Sequence, residues 1–315
     1  MIEERIVIGK NTKYPLNGLL TLPACTTNPV PAVVLVHGSG ASNMDEKVGK
    51  LSPFKDLAQG LARHGIASAR YDKRSFAHGF KMLRDKGLEV TVKAETIDDA
   101  ILATEVLKKD PRIDPERVFI IGHSMGGMLA PRIDAEGGNY RGLIIMAGSP
   151  RKLEEIILDQ NEAALRSTKG FVNWIVKKQV AKFVAMFDGM SQLSDDEAKK
   201  KKMGGGTTLY YFKEMGEHAA PGYLTVCEKP ILILQGEKDF QATVHKDFAA
   251  YTQLLAGKDN VTFRLYENLN HAFVPSVYGN IMKAKQEYSV EQHISEEVIE
   301  DIANWINKAS LIVRS

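Results

Sequence analysis

The 315-residue chain has only two cysteines, Cys25 and Cys227, and they form no CxxC pair. Such a pair offers neither a disulfide framework nor a thiolate metal site. An excess of charge of one sign is also missing. Forty-one basic residues face 39 acidic ones, a net charge of +2. Nothing in that balance advertises a nucleic-acid partner or a solvating acidic tail. Long apolar runs are absent too. The longest clean ones, such as 32–36 and 231–234, fall far short of the roughly 18 residues a membrane span needs, so no stable membrane insertion is expected. The N-terminus MIEERIVIGK is acidic early and lacks the apolar stretch of a secretory signal, which makes the cytoplasm the expected compartment. No GxxxxGK, GxGxxG, HExxH, EF-hand loop or Cys/His cluster occurs. Neither a nucleotide, a metal nor another cofactor is therefore expected.

What is present is an ordinary globular composition, 44% hydrophobic and 25% charged. At roughly 150 residues per domain, the length suggests about two domains or one large α/β domain with an insertion. β-rich runs alternate with helical periods. Residues 5–9 and 16–22 read as an opening hairpin. AVVLVHG (32–38), ASARYD (67–72), RVFIIG (117–122), GLIIMAG (142–148), ILILQG (231–236) and VTFRLYE (261–267) read as strands, several of them apolar throughout, as strands covered on both faces are. Between them, Phe54, Leu57, Ala58 and Leu61, then Ile97, Ala100, Ile101, Thr104 and Leu107, fall at helical spacing. The pattern predicts an α/β fold: a mostly parallel, doubly wound sheet of about eight strands.

One stretch interrupts the alternation. Residues 151–229 hold no convincing strand. Leu153, Ile156 and Ile157 open one helix, and Val176, Val180, Phe183, Val184 and Phe187 give a second a broad apolar face, expected to pack on the protein itself. Ser194 and Glu197 fit a capping box for a third, and Gly204 to Gly206 form a break. The expected organisation is a core of residues 1–150 and 230–315 with a helical cap, 151–229, inserted in it.

The sharpest chemical signal is Gly122-His123-Ser124-Met125-Gly126, a G-x-S-x-G between a strand and a helix. That turn exposes a serine at a helix N-terminus, where free N–H groups favour developing negative charge. A serine nucleophile needs a base. His271, in the loop after the last core strand, is the best placed of the eight histidines. The base needs an orienting acid, and Asp239 stands just past the strand ILILQG; Glu237 is the nearest substitute. The glycine-rich loop His37-Gly38-Ser39-Gly40 suits an oxyanion hole, with N–H donors at Ser39 and Met125. Asp72 also ends a strand, and is expected to pair with the Lys73-Arg74 loop.

These stretches (GHSMGG, GEKD followed by the later histidine, and HGSG) resemble the serine-nucleophile branch of the α/β-hydrolase superfamily, near bacterial dienelactone-hydrolase-like and S33-type serine-aminopeptidase-like members. The resemblance covers nearly the whole chain outside the cap. It implies an α/β-hydrolase fold and a triad of Ser124, Asp239 and His271. Dienelactone hydrolases proper carry a cysteine nucleophile where this chain has Ser124, so their substrate is not implied. The expected activity is hydrolysis of a small-molecule carboxylic ester through an acyl-enzyme. An S33-type peptidase or amidase, a thioesterase and a non-catalytic ligand-binding hydrolase fold are the alternatives, and a homodimer stays open as an assembly. Because the cap is rich in aromatics and poor in organised acids, the expected substrate contacts are Trp174, Phe183, Phe187 and Tyr211, with His37 from the core.

Overall fold

A computed structural model describes residues 1–24, 27–203 and 206–311; Cys25 and most of the expected glycine break lie outside them. The strands are β1 (Ile2–Ile8), β2 (Leu16–Leu22), β3 (Val30–Val36), β4 (Ala67–Tyr71), β5 (Ile113–His123), β6 (Leu143–Met146), β7 (Ile231–Gly236) and β8 (Val261–Tyr266). They form one sheet in the order β1-β2-β4-β3-β5-β6-β7-β8. β2 pairs antiparallel with β1 and β4, and every pair from β4 to β8 is parallel. The expected eight-stranded, mostly parallel sheet is therefore present.

Side chains alternate across a strand, and that explains why the central strands read as continuous apolar runs. Val34, Val36, Ile120, Ile145 and Ile233 face one layer. There they meet α3 (Asp98–Lys109) and α4 (Met125–Ile133). Val33, Leu35, Ile121, Ile144 and Leu232 face the other, against α1 (Pro53–Arg63) and α12 (Glu296–Ser310). Helix α2 (Arg74–Arg84) follows β4 at the C-terminal edge of the sheet.

Between β6 and β7 the described residues contain no strand. They form α5 (Leu153–Ser167), α6 (Gly170–Phe187), α7 (Asp195–Lys200), α8 (Leu209–Glu217) and α9 (Ala220–Leu224). α10 (Ala249–Leu254) and α11 (Ala284–Glu287) complete the set after β7 and β8. The capping box at α7 forms as its spacing predicts: the Ser194 side chain accepts the Glu197 N–H, and Glu197 Oε2 accepts the Ser194 N–H at 2.8 Å. The expectation for α6 is met in part: Val176, Val180, Phe183 and Phe187 are half-buried, with Phe187 against Phe212, while Val184 is exposed. None of its residues is buried, because it rests along α5 (Asn173 Nδ2 donates to Leu165 O at 2.8 Å) and leaves its other sides in water. No helix among the described residues is long and apolar enough to cross a membrane.

Candidate active site

The strand-to-helix turn after β5 sets the geometry. Ser124 adopts φ +53°, ψ −119°, a left-handed conformation that costs a non-glycine residue on the order of 1–3 kcal/mol. The surroundings enforce it. Ser124 N–H donates to Met146 O at 2.8 Å, and Ser124 O accepts from Met128 N–H at 3.1 Å. Glycine is required on both sides: a Cβ on Gly122 would lie 2.2 Å from Gly126 O, and one on Gly126 would lie 2.1 Å from Val36 O. Glu46, Ala147 and Phe273 also have positive φ and sit on loops at the same edge of the sheet; the other non-glycine residue described with positive φ, Asn139, lies before β6.

His271 and Asp239 meet there. His271 Nδ1 donates to Asp239 Oδ2 at 2.7 Å. The other bonds to that carboxylate come from Gln235 Nε2 (2.8 Å), Gln241 N–H (2.7 Å) and Ala242 N–H (3.0 Å). The carboxylate is thus a fixed acceptor that orients the imidazole. Glu237 is exposed in the turn. Ser124 and His271 both open onto a cavity of about 500 Å³, which Ser39, Gly40 and Met125 also line. Ser39 and Met125 therefore lie on the same wall as the candidate nucleophile.

Of the expected substrate contacts, Tyr211 lines this cavity. Trp174, Phe183, Phe187 and His37 do not. Trp174 lies on the exposed helix α6, 51% accessible, with Lys178 Nζ 3.9 Å from its ring centre. Phe183 stacks on Phe187, which in turn packs edge-on against Phe212 at 5.0 Å. Phe212, not Phe187, reaches the cavity. Further wall residues the sequence did not single out for this role are the aliphatic Met82 and Leu83 from α2 and Ile156 and Ile157 from α5, together with the polar Ser75, Ser149, Gln160 and Gln241. His37 is buried under the loop it precedes, against Phe54 and Tyr71, with Nε2 donating to Asn43 O at 3.0 Å. Burial pushes its pKa down to about 4, so it is neutral near pH 7.

Buried charges that carry no sequence signature organise the site. Glu46 Oε1 accepts the Gly38 N–H at 2.8 Å, and Oε2 lies 2.9 Å from His123 Nδ1. His123 Nε2 donates to the main-chain O of His271 at 2.9 Å. One carboxylate therefore ties together the glycine-rich loop, the serine turn and the histidine loop. Burial works against a charged His123 and against a charged Glu46. Their mutual attraction outweighs it, raising the histidine's pKa and lowering the carboxyl's. Glu287, fully buried, accepts from Asn270 Nδ2 (3.0 Å) and from Ser276 Oγ (2.9 Å), fixing the loop that bears His271. Asp72 does not pair with its neighbours. It accepts the Met44 N–H at 2.9 Å, while Arg74 forms an ion pair with buried Asp99 and Lys73 Nζ donates to Gly38 O. Among the described residues no cluster of His, Cys, Asp or Glu could hold a metal ion.

Comparison with known proteins places the chain. The chain is 33% identical over 294 residues to "Esterase EstD" of Thermotoga maritima, a match that covers 93% of this chain and spans 66% of that relative's length. The Pyrococcus furiosus esterase superposes with a TM-score of 0.57 at 14% identity, over 98% of this chain and 91% of its own. A puromycin-hydrolyzing peptidase of Mycobacterium tuberculosis gives 0.59 at 15% identity, over 99% of this chain and 40% of its own. At such identities the structural likeness speaks for the fold. Residues 27–275 match the family described as serine aminopeptidase, S33, and the chain belongs to that family, within the α/β-hydrolase superfamily.

Proposed function

We propose that the chain is a serine esterase. Ser124 Oγ attacks the ester carbonyl carbon as its proton passes to His271, and the carbonyl electron pair moves onto oxygen. The N–H groups of Ser39 and Met125 receive that oxyanion. Collapse breaks the bond to the alcohol oxygen, which leaves with the proton from His271. Water then attacks the acyl-enzyme by the same path and frees the acid. The observation that carries this reading is the 2.7 Å contact of His271 with Asp239, beside a serine held in a left-handed turn that opens onto a largely apolar cavity.

Ester is favoured over aminopeptidase chemistry by the cavity's acids. A substrate ammonium needs a carboxylate whose charge is not already balanced by a protein cation. Among the described lining residues the only carboxylate is Glu95, and it is engaged by Tyr211 Oη at 3.0 Å and by Lys73 Nζ at 3.8 Å. The EstD relative is itself named an esterase. Apolar walls suit an acyl chain, each buried methylene adding about 0.8 kcal/mol, or about fourfold in affinity.

The test has two arms. A fluorophosphonate should label wild-type protein at Ser124, as read by peptide mapping. Catalytic efficiency on p-nitrophenyl esters should rise from acetate to hexanoate and exceed that on a matched N-blocked amide. A preference for free-amino over N-blocked aminoacyl anilides would move the protein to the peptidase reading, and no labelling would remove the serine mechanism.

A further inference from the structure

The main chain of the glycine-rich loop is held by two buried charges of opposite sign. Glu46 takes the Gly38 N–H at 2.8 Å, and Lys73 Nζ donates to Gly38 O at 2.9 Å. Gly38 O and the Ser39 N–H belong to one peptide group. The peptide is trans, so its C=O and N–H point in opposite directions. Whatever fixes the carbonyl therefore aims the N–H. A cation on the carbonyl also draws electron density from the amide and makes its N–H a stronger donor, as hydrogen bonds in a chain polarise one another. Among the described residues no protein group accepts the Ser39 N–H, and Ser39 lines the cavity beside Ser124.

Lys73 is well placed for such a role and for little else. Its side chain is 2% exposed, and it does not line the cavity. Its main-chain N–H donates to Ser42 O at 3.0 Å, anchoring the far end of the same loop. An ammonium in such a place costs several kcal/mol of desolvation unless it is paired. The pairing comes from Glu95, at 3.8 Å, whose other oxygen accepts from Tyr211 Oη. Tyr211 stands on α8 and lines the substrate cavity. A line of buried polar contacts thus runs from the cavity wall to the back of the oxyanion donor.

We propose that Lys73 is a positioning residue for the hydrolytic reaction, which orients and polarises the Ser39 N–H by binding the Gly38 carbonyl, and that Glu95 and Tyr211 hold it there. The proposal rests on the serine-esterase reading. It separates Lys73 from a residue that merely stabilises the fold, because its effect falls on the charged transition state and not on the neutral substrate.

The experiment compares wild type with Lys73→Met and with the double variant Lys73→Met/Glu95→Gln. The double variant removes both charges, so no carboxylate is left buried alone, and Tyr211 can still donate to the amide oxygen. Each protein is assayed on p-nitrophenyl butyrate, and its affinity is measured for an aryl trifluoromethyl ketone. Serine adds to that ketone as it would to an ester: the Oγ–C bond forms, the carbonyl π pair becomes the oxyanion, and the proton goes to His271. Loss of one direct oxyanion donor costs about 10²–10³ in kcat, and an indirect effect should be smaller. We expect kcat to fall about 10- to 100-fold in the double variant. KM should stay within about twofold, and ketone affinity should fall by the same factor as kcat/KM. The role of Lys73 is overturned if the folded double variant keeps kcat near wild type, if the loss lies in KM alone, or if ketone affinity is unchanged. Failure of the fluorophosphonate to label wild-type Ser124 would instead overturn the serine reading itself, and this proposal with it.

Discussion

Helices α4 and α6 are both rich in apolar side chains, and the protein treats them in opposite ways. All nine residues of α4 are buried; none of the 18 in α6 is. The difference lies in what each helix follows. α4 starts at the end of the central strand β5 and is laid directly on the sheet, where Met128, Leu129 and Ile133 meet Ile145 and its neighbours. α6 starts from α5, one layer further out, and has a partner on one side only. Burial is conferred by a helix's place in the layers, and apolar content follows that place loosely. The candidate chemistry divides the same way: the buried helix follows directly on Ser124, and the exposed one supplies nothing to the cavity wall.

The largest effect that would sharpen this contrast is at the start of α4. Ser124→Ala should lower kcat by about 10³- to 10⁶-fold while leaving the thermal midpoint unchanged or higher. Steady-state kinetics and calorimetry on one preparation read both. An active mutant would break the link between α4 and the chemistry. Next comes packing. Leu129→Ala, at a side chain 1% exposed, should cost about 2–5 kcal/mol in urea unfolding.

A third difference is felt through pH. The loops beside α4 bury His37 and His123, whereas α6 carries exposed lysines. Desolvation holds the His37 pKa at about 4, below the unfolded value of about 6.5. The unfolded chain therefore binds the extra proton between those limits, and stability falls as pH drops through that window. For His123 the shift is upward, so its contribution is in place below about 6.5 and is lost only as pH rises through its folded pKa. His37→Gln, which can still donate to Asn43 O, should flatten the acid side of a stability–pH curve by about 2 kcal/mol at pH 5. An unchanged slope would show that His37 takes up its proton in the folded protein. The smallest expected effect is the mirror of Leu129→Ala. Trp174→Ala on α6 should shift stability by no more than about 0.5 kcal/mol, and a loss of several kcal/mol would mean that α6 is covered by something in solution.

The central sheet is legible in the sequence because its strands are covered on both faces, so VVLV and ILIL stand out as unbroken apolar runs. Gly122 and Gly126 are legible for a steric reason, and Asp239 and His271 because each follows directly on a strand that ends at one edge. Glu46, Lys73, Glu95 and Glu287 are not. A buried charge leaves no periodic trace, and a sequence read by polarity assigns it to the surface. Only the fold shows that a neutralising partner arrives from another segment, as Glu95 does for Lys73. Asp72, noted above as a strand end beside the Lys73-Arg74 loop, is where a signal existed: it and Lys73 both brace the glycine-rich loop. The sequence points to the largest aromatics of the cap for the cavity wall, and of these only Tyr211 lines it. Trp174 and Phe183 belong to the outer helix, and the aliphatic residues that do form the wall look like any other core-facing positions.

The connection between β6 and β7 has a consequence as a length of polymer. These strands are neighbours and run parallel, with Leu143 opposite Ile231, so the chain must leave one edge of the sheet and return to the other. Any crossing must be long, and once it is long, further length is cheap: each doubling of a flexible loop adds only about 0.6 kcal/mol to the entropy of closing it. Burying Ile144 or Leu232 in the sheet contributes about 1.5–3 kcal/mol each, more than enough to absorb such a change. Helices α5 and α8, which supply part of the cavity wall, are therefore carried on the part of the chain whose size the sheet is least able to feel. Change there can remodel what the cavity admits while the strands that aim Ser124, Asp239 and His271 stay as they are.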